Sequence, residues 1–153
     1  MREHLYRAWN KETKYMVKIL NDFYLTFKRD GWKIDMYSQG GEWCEEPANS
    51  ENGDILLQYI GLKDKNGKKI FEGDILDGGY EIKFGEHKFE NWMNGDSSNS
   101  RTHLGFYAYE KPYTIEIDGQ KMNYGNNYMP SDKLIKLQII GNIHENPELL
   151  KTK

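Results

Sequence analysis

The chain has 153 residues, with 21 Lys and Arg against 24 Asp and Glu and a formal net charge of -3. A compact domain of this size buries roughly 70% of its unfolded surface, so a true core is within reach, and because the two signs of charge are interleaved no basic stripe fit to track a phosphate backbone is present. With 37% hydrophobic and 14% aromatic residues and a mean hydropathy of -0.88, it is too aromatic for a disordered chain and too short in its apolar runs for a membrane helix.

Taken in order, residues 5–9 and 15–20 are two strand-like runs joined by Asn10-Lys11-Glu12-Thr13-Lys14, an N-terminal hairpin. Phe23, Leu25 and Phe27 are spaced by two before Asp30-Gly31, and Trp32, Ile34 and Met36 after it, the pattern of an antiparallel hairpin. Residues 38–53 lose periodicity and collect Gly, Pro, Ser, Asn and acid, so a linker and domain boundary is expected there, dividing 1–53 from 54–153. Residues 57–76 hold two apolar runs around Asp64-Lys65-Asn66-Gly67, a turn in which Asn and Gly take positive φ, with a second turn at Glu72-Gly73-Asp74. The polar residue, Lys and apolar spacing of the Asn10 turn repeats in the Asp64 turn, two hairpins solving one problem alike.

Tyr80, Ile82 and Phe84 alternate as a strand. Residues 94–101 have little to bury and read as a mobile loop. Residues 104–109, 113–117 and 120–124 follow as strands, the last two around Asp118-Gly119; 126–132 is loop, and 134–140 is the last strong strand. Asn146-Pro147 opens a short helical turn. Without a long 3.6-residue periodicity, the expected fold is mainly β, a β-rich α+β arrangement of N-terminal antiparallel hairpins.

Asp64-Lys65-Asn66-Gly67 has the beginnings of a calcium loop, but its glycine arrives too early and helical flanks are missing; a hairpin turn explains the same letters. Glu72, Asp74 and Asp77 are close enough to suggest a magnesium site or acid–base pair, yet Gly at a special φ and Asp bonding backbone amides account for them as well. The structural turn residues are therefore Asp64, Asn66, Gly67, Gly73 and Asp74. His4, His87, His103 and His144 lack metal-ligand spacing, and Cys44 lies beside Glu45 and Glu46, which disfavour a thiolate. No metal or cofactor is assigned. One cysteine excludes an internal disulfide framework and fits a reducing cytoplasm, though a secreted cysteine-poor protein would look the same. The opening Met1-Arg2-Glu3-His4 lacks the apolar centre of a secretion signal.

Phe106, Tyr107, Tyr109, Tyr113, Tyr124 and Tyr128 cluster in the second half. Such rings can stack bases, but between residues 105 and 128 the cations are Lys111 and Lys121 alone, so core packing or a protein contact fits better than nucleic acid.

Three blocks together carry a resemblance: Arg7-Ala8-Trp9-Asn10-Lys11; Gln58-Tyr59-Ile60-Gly61-Leu62-Lys63-Asp64-Lys65-Asn66-Gly67 with Ile70-Phe71-Glu72-Gly73-Asp74-Ile75; and Ile140-Gly141-Asn142-Ile143-His144-Glu145-Asn146-Pro147-Glu148-Leu149-Leu150. The chain resembles the YopX family of phage and prophage proteins, departing mildly at Asn10, Phe71 and His144, where many members have Asp, Tyr and Tyr. The resemblance implies a phage-encoded cytoplasmic protein whose C-terminal part is a small SH3-like barrel, with residues 85–132 as a variable insertion. It implies no activity and transfers no catalytic residue. The expected function is a noncatalytic protein-binding or assembly module in the host cytoplasm, with an unknown protein partner or a homo-oligomer. Alternatives are nucleic-acid binding by a small barrel, or a metal-assisted hydrolase using Glu72, Asp74 and Asp77.

Overall fold

This computed structural model describes residues 4–18, 23–37, 43–89, 101–110, 113–117, 120–124, 129 and 131–150. The fold is mainly β, and the ladders named below are antiparallel. Two compact units are formed, Met1–Gly61 and Leu62–Lys153.

In the first unit, β1 (Tyr6–Asn10) and β2 (Tyr15–Lys18) form the expected hairpin. Asn10 fits the turn because its Oδ1 accepts the amides of Glu12 at 3.0 Å and Thr13 at 2.8 Å, a local bond that substitutes for a ladder. β3 (Phe23–Lys28) and β4 (Gly31–Tyr37) pair so that Lys28 faces Gly31. The two-residue loop is therefore Arg29-Asp30, one position before the expected Asp30-Gly31. Gly31 answers a different need, since a Cβ there would meet Ser50 Oγ at 2.0 Å.

The expected linker at 38–53 is corrected in its second half, where β5 (Trp43–Asn49) pairs with β4. Ile34 faces Ala48 but Met36 faces Cys44, so residues 45–47 oppose the single position 35. That bulge hides the period of two, and it accommodates Pro47, which has no amide to give a ladder. β6 (Ile55–Lys63) then returns, with residues 55–58 laddered to β1. Alternation along β1 buries both its faces: Ala8 and Val17 pack with Ile34 and Ala48, while Trp9 and Met16 pack with Leu57.

The second unit holds β7 (Lys69–Phe71), β8 (Asp74–Leu76), β9 (Tyr80–Phe89) and β10 (Arg101–Glu110). β11 (Tyr113–Ile117) and β12 (Gln120–Tyr124) form a separate two-stranded sheet. After helix α1 (Ser131–Leu134), β13 (Ile139–Asn142) completes a sheet of order β10-β9-β8-β13, and a 3-10 turn spans Pro147–Leu150. Among the described residues of this unit, Ile70, Ile75, Leu76, Ile82 and Ala108 are fully buried apolar residues.

The strand expected over 134–140 is corrected: a helical turn precedes it, the amides of Lys136 and Leu137 bond back to Lys133 and Leu134, and the ladder begins only at Ile139. Residues 94–100 of the expected mobile loop lie outside the described residues, and Arg101 opens β10. Of the loop expected at 126–132, residues 126–128 and 130 also lie outside them.

Candidate functional site

The turn residues singled out from sequence are placed first. Asp64 is buried, and its Oδ1 accepts the amides of Asn66 and Lys68, both at 2.9 Å, while Oδ2 accepts that of Ile139 at 3.1 Å. Burial opposes its charge, but the amides of Ile139, Lys68 and Asn66, with the Lys68 charge, outweigh it and hold the carboxyl below its ordinary value. Gly67 has φ 79° and Gly73 φ 76°, conformations open to glycine. Asp74 Oδ2 accepts the Phe71 amide at 2.8 Å from a buried position, and Asp77 lies 3.7 Å from Lys65 Nζ. These carboxylates brace backbone and face cations. Among the described residues, no three His, Cys, Asp or Glu side chains converge on a point that could hold a metal ion.

The predicted aromatic set is divided by the topology. Phe106, Tyr107 and Tyr109 lie on β10; Tyr113 and Tyr124 occupy opposing positions at one end of the β11–β12 register; Tyr128 lies outside the described residues. β10 itself splits its rings, because successive residues point to opposite faces.

On one face Phe106 sits opposite Phe84, ring centroids 5.0 Å apart and edge-on, an arrangement the ring quadrupoles favour. The base of this face is Ile82 opposite Ala108, both buried. Further along, the cover is gone: Phe84 is 52% exposed and Leu104 71%.

On the other face, Tyr107 stacks on His87 at 4.7 Å, and His87 stacks on His103 at 5.9 Å, the two histidines being direct register partners. Lys83 Nζ lies 4.2 Å above the Tyr109 ring and 3.3 Å from Glu81 Oε2. The one described lysine among these rings is thus already engaged by a carboxylate. Gly85 and Gly105 face each other between the two halves of the ribbon.

Sequence reasoning missed Phe84, His87, Leu104 and Lys83 as parts of this site. The period-two run Tyr80, Ile82, Phe84 was visible; the pairing of His87 with His103 depends on the β9–β10 register, between strands well separated in sequence.

The sequence pattern of the family described as "YopX protein" matches residues 5–151. The chain belongs to the YopX family. Comparison with curated proteins finds no match. Among solved structures, this YopX chain is similar to a crystal structure of protein EF1440 from Enterococcus faecalis, at 23% identity and TM-score 0.45, covering 98% of this chain and 99% of that one.

The three YopX blocks of this chain share one device. Asn10 accepts the amide two positions on, as does Asp64, and Asn142 Oδ1 does the same with His144 at 3.0 Å and adds Glu145 at 2.9 Å. Blocks made of such braces describe a scaffold, and the ribbon of β9 and β10 lies between the second and third.

Proposed function

We propose that this protein is a noncatalytic protein-binding module, made from phage genes in the bacterial cytoplasm, and that the β9–β10 ribbon is its contact surface. One observation carries the reading: Phe84 and Leu104 stay exposed on the same face whose base is sealed by Ile82 and Ala108. Contiguous apolar surface on an otherwise polar chain is costly to leave in water unless a partner covers it. Tyr and Phe are enriched at protein interfaces, and β10 carries Phe106, Tyr107 and Tyr109. The phage and cytoplasmic setting is what the family resemblance implies; no helix among the described residues is long and apolar enough to cross a membrane.

Nucleic-acid binding has less support, since Lys83 is engaged by Glu81 and Tyr109. The hydrolase reading has less still, because Asp74 is spent on the Phe71 amide.

A crosslinking pull-down from cells expressing the tagged chain tests the proposal. The wild-type chain is expected to capture a defined protein, a second copy included, and Leu104→Lys to lose it. Equal capture by both, or low-salt nucleic-acid binding that Leu104→Lys leaves intact, would overturn it.

A further inference from the structure

We propose that Asn66 is a modification site, where spontaneous ring closure onto the Gly67 nitrogen converts it to aspartyl and isoaspartyl products and loosens the tie between Asp64 and Ile139. The reaction needs an asparagine side chain in water, a following residue without a Cβ to block the approach of its backbone nitrogen to Cγ, and a base. Asn66 and Gly67 are both exposed, and a Cβ at Gly67 would meet nothing within 4 Å, so the tip is open on all sides. Solvent supplies the base.

The chemistry closes on water alone. The Gly67 nitrogen gives its proton to the base and attacks Asn66 Cγ; the new C–N bond makes a succinimide ring, and the side-chain nitrogen takes up a proton and leaves as ammonia. Water then opens the ring at either carbonyl. Cleavage at Cγ leaves an ordinary aspartate at position 66. Cleavage at the backbone carbonyl routes the main chain through the former side chain, with a free carboxylate on Cα.

The chain has Asn-Gly pairs at Asn52-Gly53, Asn66-Gly67 and Asn94-Gly95, the last outside the described residues. The Gly67 amide donates to the Asp64 carbonyl at 2.9 Å and the Gly53 amide to the Ser50 carbonyl at 3.0 Å. Each turn must therefore open before it reacts, a local event that exposed backbone permits. Surroundings separate the two. Gly53 is half-buried, with Lys11 Nζ 3.4 Å from where a Cβ would stand. Lys68 follows Gly67 and its charge favours the amide anion, whereas Asp54 follows Gly53 and opposes it.

The consequence runs through Asp64. Its Oδ1 holds the amides of Asn66 and Lys68 while Oδ2 holds that of Ile139. An isoaspartyl linkage lengthens the main chain between positions 64 and 68 by one carbon, about 1.5 Å. One oxygen then cannot keep both amides, and the new carboxylate stands on the residue whose amide Asp64 accepts, so like charges face each other. The strain is carried to the start of β13 by the same side chain.

The test ages the full chain in mildly alkaline buffer at 37 °C, with Asn66→Gln beside it, and maps conversion by peptide mass spectrometry with an isoaspartate-specific readout. Asn66 should convert ahead of Asn52, mainly to the isoaspartyl form. Amide exchange in peptides covering residues 137–142 should become several-fold faster in the aged wild type, while aged Asn66→Gln keeps the exchange of fresh protein. An intact Asn66 once Asn52 has turned over would overturn the site. Conversion at Asn66 with unchanged exchange over 137–142, or equal loosening in aged Asn66→Gln, would overturn the link to Asp64.

Discussion

Asp64 and Ile139, 75 positions apart, are joined by a 3.1 Å hydrogen bond from the Ile139 amide to Asp64 Oδ2. The same carboxylate closes its own turn through Oδ1, so one buried side chain fixes both the hairpin tip and the start of β13. A second tie runs alongside, from the Lys65 amide to the Leu137 carbonyl at 2.9 Å.

Asp64→Ala removes the acceptor for three amides and leaves them unpaired, a loss of about 1–3 kcal/mol for such a group. Denaturant unfolding should show that decrease, with Asp64→Asn intermediate because one oxygen survives. An unchanged midpoint for Asp64→Ala would show that the brace contributes nothing.

Stability should also fall in acid through this residue. Its carboxyl lies below the ordinary 3.8 when folded, so its contribution is complete above the unfolded value and drains away as pH falls through the folded one. Asp64→Asn should flatten the stability-against-pH curve below about pH 4. Identical slopes in the two proteins would contradict the assignment.

Gly31 and Ser50 are predicted to be coupled. Ser50 Oγ accepts the Trp32 amide at 3.0 Å and donates to the Trp32 carbonyl at 3.1 Å, and the space for it exists because Gly31 has no Cβ. Gly31→Ala should cost ~1–3 kcal/mol by overpacking. In a double-mutant cycle, Ser50→Ala should recover part of that loss, giving an interaction energy of at least ~0.5 kcal/mol. Additive losses would mean the two residues do not compete for space.

Ile82 and Leu104 share a face of the ribbon but should respond oppositely to substitution. Ile82→Ala, at a fully buried position, should cost about 2–5 kcal/mol. Leu104→Lys should stay within about 0.5 kcal/mol of wild type. Thermal melts of both variants decide whether the far end of this face is surface or core.

The legible parts of the sequence were those where local chemistry decides the structure. Period-two alternation in Phe23, Leu25 and Phe27 gave β3, and the Asn10 and Asp64 turns follow from side chains that bond their own backbone. Gly31 misled because a glycine beside Asp suggests a turn, whereas its place is set by Ser50, remote in sequence. β5 was hidden by the bulge at 45–47. Residues 134–140 illustrate a further limit: a short apolar run suits a buried helical turn as well as a strand, and here Leu134 is buried while Ile135 and Ile140 are exposed. Of the aromatic set, sequence located β10 but not its faces, since Phe84 and His87 join it through a register fixed by the ladder itself.

The central claim is that the β9–β10 ribbon is where this protein meets another chain. Amide hydrogen exchange of the wild-type protein, followed by mass spectrometry from sub-micromolar to tens of micromolar, tests it most directly. Peptides covering Arg101–Glu110 should become more protected once the contact forms, with rising concentration where the partner is a second copy and on adding the captured partner where it is not, with Asp74–Leu76 unchanged and Leu104→Lys showing no gain. Exchange in Arg101–Glu110 that is independent of concentration, and unaltered by any captured partner, would contradict the account.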